Sequence, residues 1–300
     1  MRSVSLPSFA KINLDLRVLG TRADGYHDLK TVFQSLALFD NVTVSVRRGP
    51  LAVACDEPDI PTDQRNLVWK AASRLHRIAT GKLSAPRDIA IDLRKRVPPE
   101  AGLGGGSSNA AMTLLALNKL WKLDLDLASL TRIGARLGAD VPYFLVGGTA
   151  LGLGRGDDIY PLADMPSVHV VILRPGFGVA TSDAYQWFDE ETRRTTKEPA
   201  ARLVPPGWPP WSATLRNDLE VPVVRHHPAI GRIRQSLLDA GATFAAMSGS
   251  GSAVFGLFER ADAARRTAND LARPGWLSLH TRTLDRREYA RRVAATRLGR

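Results

Sequence analysis

Residues 98–111, PPEAGLGGGSSNAA, constrain the fold more than any other stretch. Four glycines fall within five positions between a rigid Pro-Pro and a segment that turns helical at once. A strand pattern leads in, with Ile89, Ile91, Leu93 and Val97 ahead of Pro98-Pro99. A helix pattern leads out, with Ala110, Ala111, Leu114, Leu115 and Leu117, and runs through about Leu120. Strand, bare loop and helix in that order make an anion site. Gly102, Gly104, Gly105 and Gly106 let backbone N–H groups approach a ligand with no Cβ in the way. Ser107 and Ser108 add hydroxyl donors, and the helix points its positive end at the same spot. Two familiar phosphate patterns are not met. The P-loop needs a lysine after its last glycine, where Ser107 stands. The dinucleotide fingerprint needs Gly or Ala at its third position, where Ser107 again falls.

The remainder of the N-terminal half supplies strands first. In 9–18, Ala10, Ile12, Leu14, Leu16 and Val18 alternate with Phe9, Lys11, Asn13, Asp15 and Arg17. Period two predicts a half-buried strand with Lys11, Asn13 and Asp15 on one face. Asp24-Gly25 marks a tight turn, and strands are expected at 30–39 and 42–48. Asn66 can cap a helix whose Leu67, Ala71, Leu75 and Ile78 share a face. A further helix with Leu127, Leu130, Ile133 and Leu137 ends at Gly138, which leaves Asp140-Val141-Pro142 at its C-terminal turn.

The C-terminal half reads differently. A strand at 167–173 precedes a helix from Thr181, and a Pro/Trp-rich insertion occupies 205–211. A helix at 229–240, strands at 243–247 and 252–258, a helix near 261–272 and a strand near 276–283 complete it. That is the split βαβ order of a ferredoxin-like unit, with the helix at 229–240 left over. The class is α+β with a junction near residue 160, so the expected domains are 1–160 and 161–300.

Composition narrows the surroundings. The 300 residues are 44% hydrophobic, enough for a sizeable core. No apolar segment of signal-peptide length precedes Lys11, and the long uncharged stretches are glycine-rich and shorter than a span of roughly 20 residues. A single cysteine, Cys55, excludes an internal disulfide framework and a cysteine-rich metal site. A cytoplasmic chain with no membrane partner is expected. The net charge of +11 suits an anionic small ligand or nucleic acid. It is scattered, apart from Arg94-Lys95-Arg96 at the mouth of the glycine loop and the tail 286–300, read as a terminal helix or a frayed, solvated end.

The loop resembles the phosphate loop of the GHMP kinase superfamily, which includes galactokinase, homoserine kinase and mevalonate kinase. Those enzymes join such a loop to a ferredoxin-like C-terminal half. AKINLDLRVLGTRADGYHDL (10–29) and GADVPYFLVGGTALGLGRGD (138–157) narrow the likeness to the branch whose acceptor is a cytidine diphosphate-linked methylerythritol. TSDAYQ (181–186), NDLE (217–220) and MSGSGSAVFG (247–256) extend it over nearly the whole chain. The resemblance implies a two-domain GHMP kinase fold, ATP as phosphoryl donor and Mg²⁺ as its ion. No metal ligand stands out in the sequence.

It also implies roles for residues. Asp140 would be catalytic, as base or orienter of the acceptor hydroxyl, with Lys11 paired to it. Asn66 and Lys95 would lie near the adenine, with Pro98, Pro99, Glu100, Ala101, Gly102, Leu103, Gly104, Gly105, Gly106, Ser107 and Ser108 around the phosphates. Tyr26 and His27 would form the cytosine pocket, the tyrosine stacking on the base and the histidine bonding it, with Tyr185 on the other face. Asn13, Thr181 and the Ser248–Gly249 turn would touch the substrate, alongside Asp140. Glu100 departs from the small residue or methionine common in relatives; it approaches the ion or faces solvent.

An RNA-binding reading uses the same basic charge and ferredoxin-like half. It lacks the aromatic opening such modules need, and Phe255 and Phe258 cannot face the same side of a regular strand. No nucleic-acid partner is expected, and nothing in the sequence sets an oligomeric state.

Overall fold

The computed structural model describes residues 2–194, 215–295 and 297–299; the insertion at 205–211 lies outside them. The chain opens as a long hairpin. Strands β1 (Ser3–Thr21) and β2 (His27–Pro50) pair antiparallel from Ser3↔Ser45 to Thr21↔His27. The two strands expected at 30–39 and 42–48 are thus one. Asp40-Asn41 looks like a break, but both residues stay in register with Ser8 and Pro7. The buried Asp40 carboxylate accepts from the backbone N–H groups of Arg96 and Val97, which replaces the water a turn would supply.

Strand β3 (Ala52–Cys55) runs parallel to β4 (Arg87–Arg94), with helix α1 (Leu67–Thr80) as the crossover between them. Asn66 caps α1 through Oδ1, which accepts from the Val68 N–H, and Gly81 closes it in the left-handed region. Ala71 and Leu75 face the core as expected, but Ile78 is 51% exposed on the last turn. Helix α2 (Gly105–Trp121) starts at the glycine loop and is buried along most of its length. Helices α3 (Leu127–Ala135) and α4 (Val141–Val146) follow, then strands β5 (Thr149–Leu153) and β6 (Asp158–Pro161), with β5 on the edge of β2.

The second half begins with strand β7 (His169–Arg174) and helix α5 (Thr181–Arg194). Helices α6 (Glu220–His226) and α7 (Pro228–Asp239) lead to β8 (Phe244–Met247), β9 (Val254–Phe258), α8 (Ala261–Asp270) and β10 (Leu277–Arg282). The sheet order β10-β7-β9-β8 is the ferredoxin-like one. The leftover helix finds its place here. α7 packs on β8 and β9 as the first crossover, and α8 packs on β7 and β10.

Among the described residues the strands form a seven-stranded and a four-stranded sheet. They share a core in which Ala10, Ile12 and Leu14 of β1 meet Val170, Ile172, Phe255 and Leu257. Helices cover the far side of the first sheet. Strand β1 is therefore buried on both faces rather than half-buried, and Lys11, Asn13 and Asp15 lie inside. Phe255 and Phe258 fall in cores on opposite sides of the second sheet.

The described residues of the basic tail form a helix and a strand rather than a frayed end. Helix α9 (Arg286–Ala294) drives Tyr289 into the interior, where its hydroxyl donates to the Phe144 carbonyl at 2.6 Å. Strand β11 (Arg297–Gly299) then pairs antiparallel with β1. No helix among the described residues is long and apolar enough to cross a membrane.

Candidate active site

One cleft of about 1580 Å³ gathers the glycine loop, the middle of β1, the start of β2, Asp140 and the N-terminus of α5. Of the residues expected in the site, Ser108 and Ser248 alone do not line it. Both are fully buried. Ser108 accepts a bond from the Ser8 hydroxyl beneath α2, and Ser248 donates to the Gly102 carbonyl at 2.9 Å. They hold the loop from behind.

The glycines divide into two kinds. Gly102 and Gly104 have φ of +73° and +71°, where other residues are strained. They are also jammed. A Cβ on Gly102 would lie 2.0 Å from the Ser248 carbonyl oxygen, and one on Gly104 would lie 2.6 Å from the Phe144 ring. Gly106 has neither constraint; a Cβ there would meet only Leu67, at 3.8 Å. The side chains of Ala101 and Leu103 point into the core, and the Leu103 carbonyl accepts from the Lys11 N–H at 3.0 Å. The loop is thus pinned between β1 and the turn at 248–251, with the start of the long helix α2 at the cleft.

Lys95 sits under the same helix start. Its ammonium pairs with the fully buried carboxylate of Asp40 and lies 3.1 Å from the side-chain oxygen of Asn109. Asn109 in turn donates to Asp40 and to Ser8. Asp40 and Asn109 were not identifiable from spacing, since nothing local joins positions 40, 95 and 109.

Asp140 does not close a helix, as its sequence neighbours imply. It precedes α4, has helical backbone angles and makes no side-chain cap bond. Pro142 in the first turn of α4 has no N–H to satisfy, which suits this tight junction. The free carboxylate lies 3.3 Å from the Lys11 ammonium; the lysine side chain is 4% exposed and the aspartate 31%. Lys11 also donates to the Asn13 side-chain oxygen at 2.6 Å. Asn13 donates to Thr31, whose hydroxyl donates to the Asp15 carbonyl, so the amide orientation is fixed. A buried cation, an open carboxylate and an oriented amide can together bind and deprotonate a hydroxyl.

At the far end, His27 stacks on Tyr185 with centroids 4.6 Å apart and an interplanar angle of 21°. The two rings are in direct contact, so no base fits between them. Burial, aided by the Asp140 charge, raises the Tyr185 phenol well above its usual value, so it stays neutral. Tyr26 is 58% exposed, with the Arg155 guanidinium 5.4 Å from its ring centroid. His27 Nε2 lies 2.8 Å from the Asp189 carboxylate. Asp189 was missed, yet it stands four residues after Tyr185, the spacing that puts both on one helix face.

Thr181 begins α5, and its hydroxyl meets that of Ser250 at 3.1 Å. Gly249 lines the cleft beside it. The turn is clamped by Asn217, whose amide donates to the Met247 and Gly249 carbonyls at 2.9 and 2.7 Å. Asp218 accepts from the Val18 N–H and Glu220 from the Met247 N–H. The NDLE stretch therefore braces the site instead of contacting it.

The family pattern for the GHMP kinases N terminal domain matches residues 66–148, and that for GHMP kinases C terminal matches 209–275. A 4-diphosphocytidyl-2-C-methyl-D-erythritol kinase from Synechococcus sp. (strain JA-3-3Ab) is 41% identical, over 88% of this chain and 89% of its own length. One from Moorella thermoacetica is 40% identical, over 95% of this chain and 100% of its own. A crystal structure of 4-(cytidine 5'-diphospho)-2C-methyl-D-erythritol kinase superposes with a TM-score of 0.74 at 35% identity, covering 93% of this chain and 98% of that one. The crystal structure of L. major mevalonate kinase shares the fold with a TM-score of 0.69 at 15% identity, over 94% of this chain and 96% of its own. This chain belongs to the 4-diphosphocytidyl-2-C-methyl-D-erythritol kinase family, a branch of the GHMP kinases.

Proposed function

We propose that this chain transfers the γ-phosphoryl group of ATP to the 2-hydroxyl of 4-diphosphocytidyl-2-C-methyl-D-erythritol, in the non-mevalonate route to isoprenoid precursors. The observation that carries this is the Lys11–Asp140 pair at 3.3 Å, in the same cleft as the glycine loop and the His27–Tyr185 stack. The pair lies where a donor phosphate held by the loop and a hydroxyl of a base-anchored acceptor can meet. Asp140 takes or orients the hydroxyl proton, and Lys11 offsets the charge that grows on the attacking oxygen. Backbone N–H groups from Gly104 to Ser107 and the α2 dipole hold the phosphates. Asn66, Lys95 and the segment Pro98–Leu103 form the nucleotide end. Asn13, Tyr26, His27, Thr181, Tyr185 and Gly249 form the acceptor end, with Ser248 behind the turn.

A magnesium ion fits this cleft. Glu100, Ser107 and Asp140 put oxygen donors on its wall, while no group of three or more His, Cys, Asp or Glu residues among those described forms a cage. That donor set suits an ion that arrives on the nucleotide and keeps most of its phosphate and water ligands. Bound there, it would neutralise charge on the transferring phosphoryl group.

The domain division near residue 160 belongs to the same reading. Residues 1–160 carry the loop, Lys11 and Asp140, and 161–300 supply Thr181, Tyr185 and the 248–251 turn. A cytoplasmic setting goes with ATP as donor. The test is ADP release from Mg²⁺-ATP with the cytidyl acceptor, homoserine, mevalonate and galactose in parallel. Turnover with the cytidyl acceptor alone is expected. Turnover with another acceptor keeps the kinase and overturns the base pocket, and turnover with none overturns the kinase reading.

A further inference from the structure

The imidazole of His27 is held by one face of helix α5 on three sides. Tyr185 stacks on it, Phe188 meets it edge-on with centroids 6.5 Å apart at 86°, and Asp189 lies 2.8 Å from Nε2. These three side chains recur at i, i+3 and i+4, so a single helix sets ring plane, ring edge and hydrogen bond together. The His27 side chain is 10% exposed and that of Asp189 is 30%. Both residues line the main cleft and also a second cavity of about 230 Å³ behind it, so the pair forms the wall between the two.

An ionised carboxylate only accepts, so Nε2 must carry the proton in this bond. In a neutral imidazole that leaves Nδ1 as a bare acceptor. Cytosine differs from uracil at C4, where it carries an amino donor in place of a keto oxygen. A bare Nδ1 accepts from the amino group and repels the keto oxygen. We propose that Asp189 is a positioning residue that fixes His27 as the Nε2–H tautomer and thereby makes the acceptor pocket select a 4-amino pyrimidine over a 4-keto one. This rests on the kinase reading above. It adds that the choice of base is set on α5, by a residue that need not touch the substrate.

The experiment compares kcat/KM for 4-diphosphocytidyl- and 4-diphosphouridyl-2-C-methyl-D-erythritol in the wild type, Asp189→Ala and Asp189→Asn. The wild type is expected to prefer the cytidyl acceptor. In Asp189→Ala the preference falls about tenfold or more, the size of one good base-reading contact. The loss lies in the acceptor KM, and the KM for ATP stays put. Asp189→Asn retains the preference, because its amide oxygen accepts the same proton. A preference unchanged in Asp189→Ala, or a fall in kcat with both acceptors alike, overturns the proposal. A wild type inert with both acceptors overturns the kinase reading instead. Imidazole ¹⁵N spectra of the wild type, with the His27 signals identified by their loss in His27→Asn, do not depend on the Asp189 variants folding. A protonated Nε2 and bare Nδ1 are expected; a protonated Nδ1 overturns the proposal.

Discussion

The Lys11 ammonium stands 3.3 Å from the Asp140 carboxylate, with the lysine buried and the aspartate open to the cleft. The cation is fixed by Asn13 and cannot follow the substrate, so the reacting hydroxyl must come to it. Asp140→Asn keeps the volume but removes the proton acceptor. We expect kcat to fall about 10²- to 10⁴-fold, with ATP affinity retained. Steady-state kinetics with ATP-binding measurements check this, and a kcat within threefold or so of wild type would leave Asp140 no chemical role.

The two kinds of loop glycine predict a contrast in stability. Gly104→Ala must push a methyl against Phe144 at positive φ, and should cost about 2 kcal/mol or more. Gly106→Ala makes only an ordinary contact with Leu67 inside a helix and should be neutral or slightly stabilising. Urea denaturation of both variants decides it; equal losses would mean that the close approach to Phe144 is unimportant.

The Asp40–Lys95 pair is buried beneath the loop. Asp40→Ala leaves a buried ammonium and two backbone N–H groups without their acceptor, at about 3–5 kcal/mol. Lys95→Met in the same background should recover part of that loss. A double variant no more stable than Asp40→Ala would place the cost in the backbone bonds alone.

Arg282 hydrogen-bonds Glu288 at 2.6 and 2.8 Å and holds its carboxyl below the ordinary glutamate value of 4.5. A lowered native value means that the unfolded chain binds the proton more readily. The contribution is therefore present above about pH 4.5 and lost as pH falls below it. Glu288→Gln should flatten the fall in Tm between about pH 5 and pH 3, where a glutamate titrates. Parallel slopes in wild type and variant would show that α9 is not anchored through this charge.

How much of this was readable beforehand depends on whether the cause is local. The loop and α2 were legible because glycines beside an apolar periodicity carry their reason on the spot. So were the strands of the second sheet. Lys11, Asp140, His27 and Tyr185 came through resemblance, since no spacing links positions so far apart. Helix α4 escaped because six residues are too few for a periodicity. Strand β1 read as half-buried because its alternation is genuine, and only the second sheet shows that the polar face is covered too. Ser108 and Ser248 were placed among the ligand contacts on motif membership, whereas their hydroxyls serve neighbouring backbone and side chains. Asn217 had no signal at all, because its partners are carbonyls, which every residue has.

The pairing of Ser3 with Gly299 has a consequence for how the chain is made. During synthesis, β1 leaves the ribosome well before β11. The outer edge of β1 at Ser3–Ser5 thus stays unpaired until β11 has been made, with its N–H and C=O groups open to other chains. The basic residues of α9 and the tail arrive with the strand that closes this edge. A ribosome that pauses before β11 would leave this edge exposed for longer, and aggregation of nascent chains should rise with pauses placed before the codon for Arg297 rather than after β11 is complete.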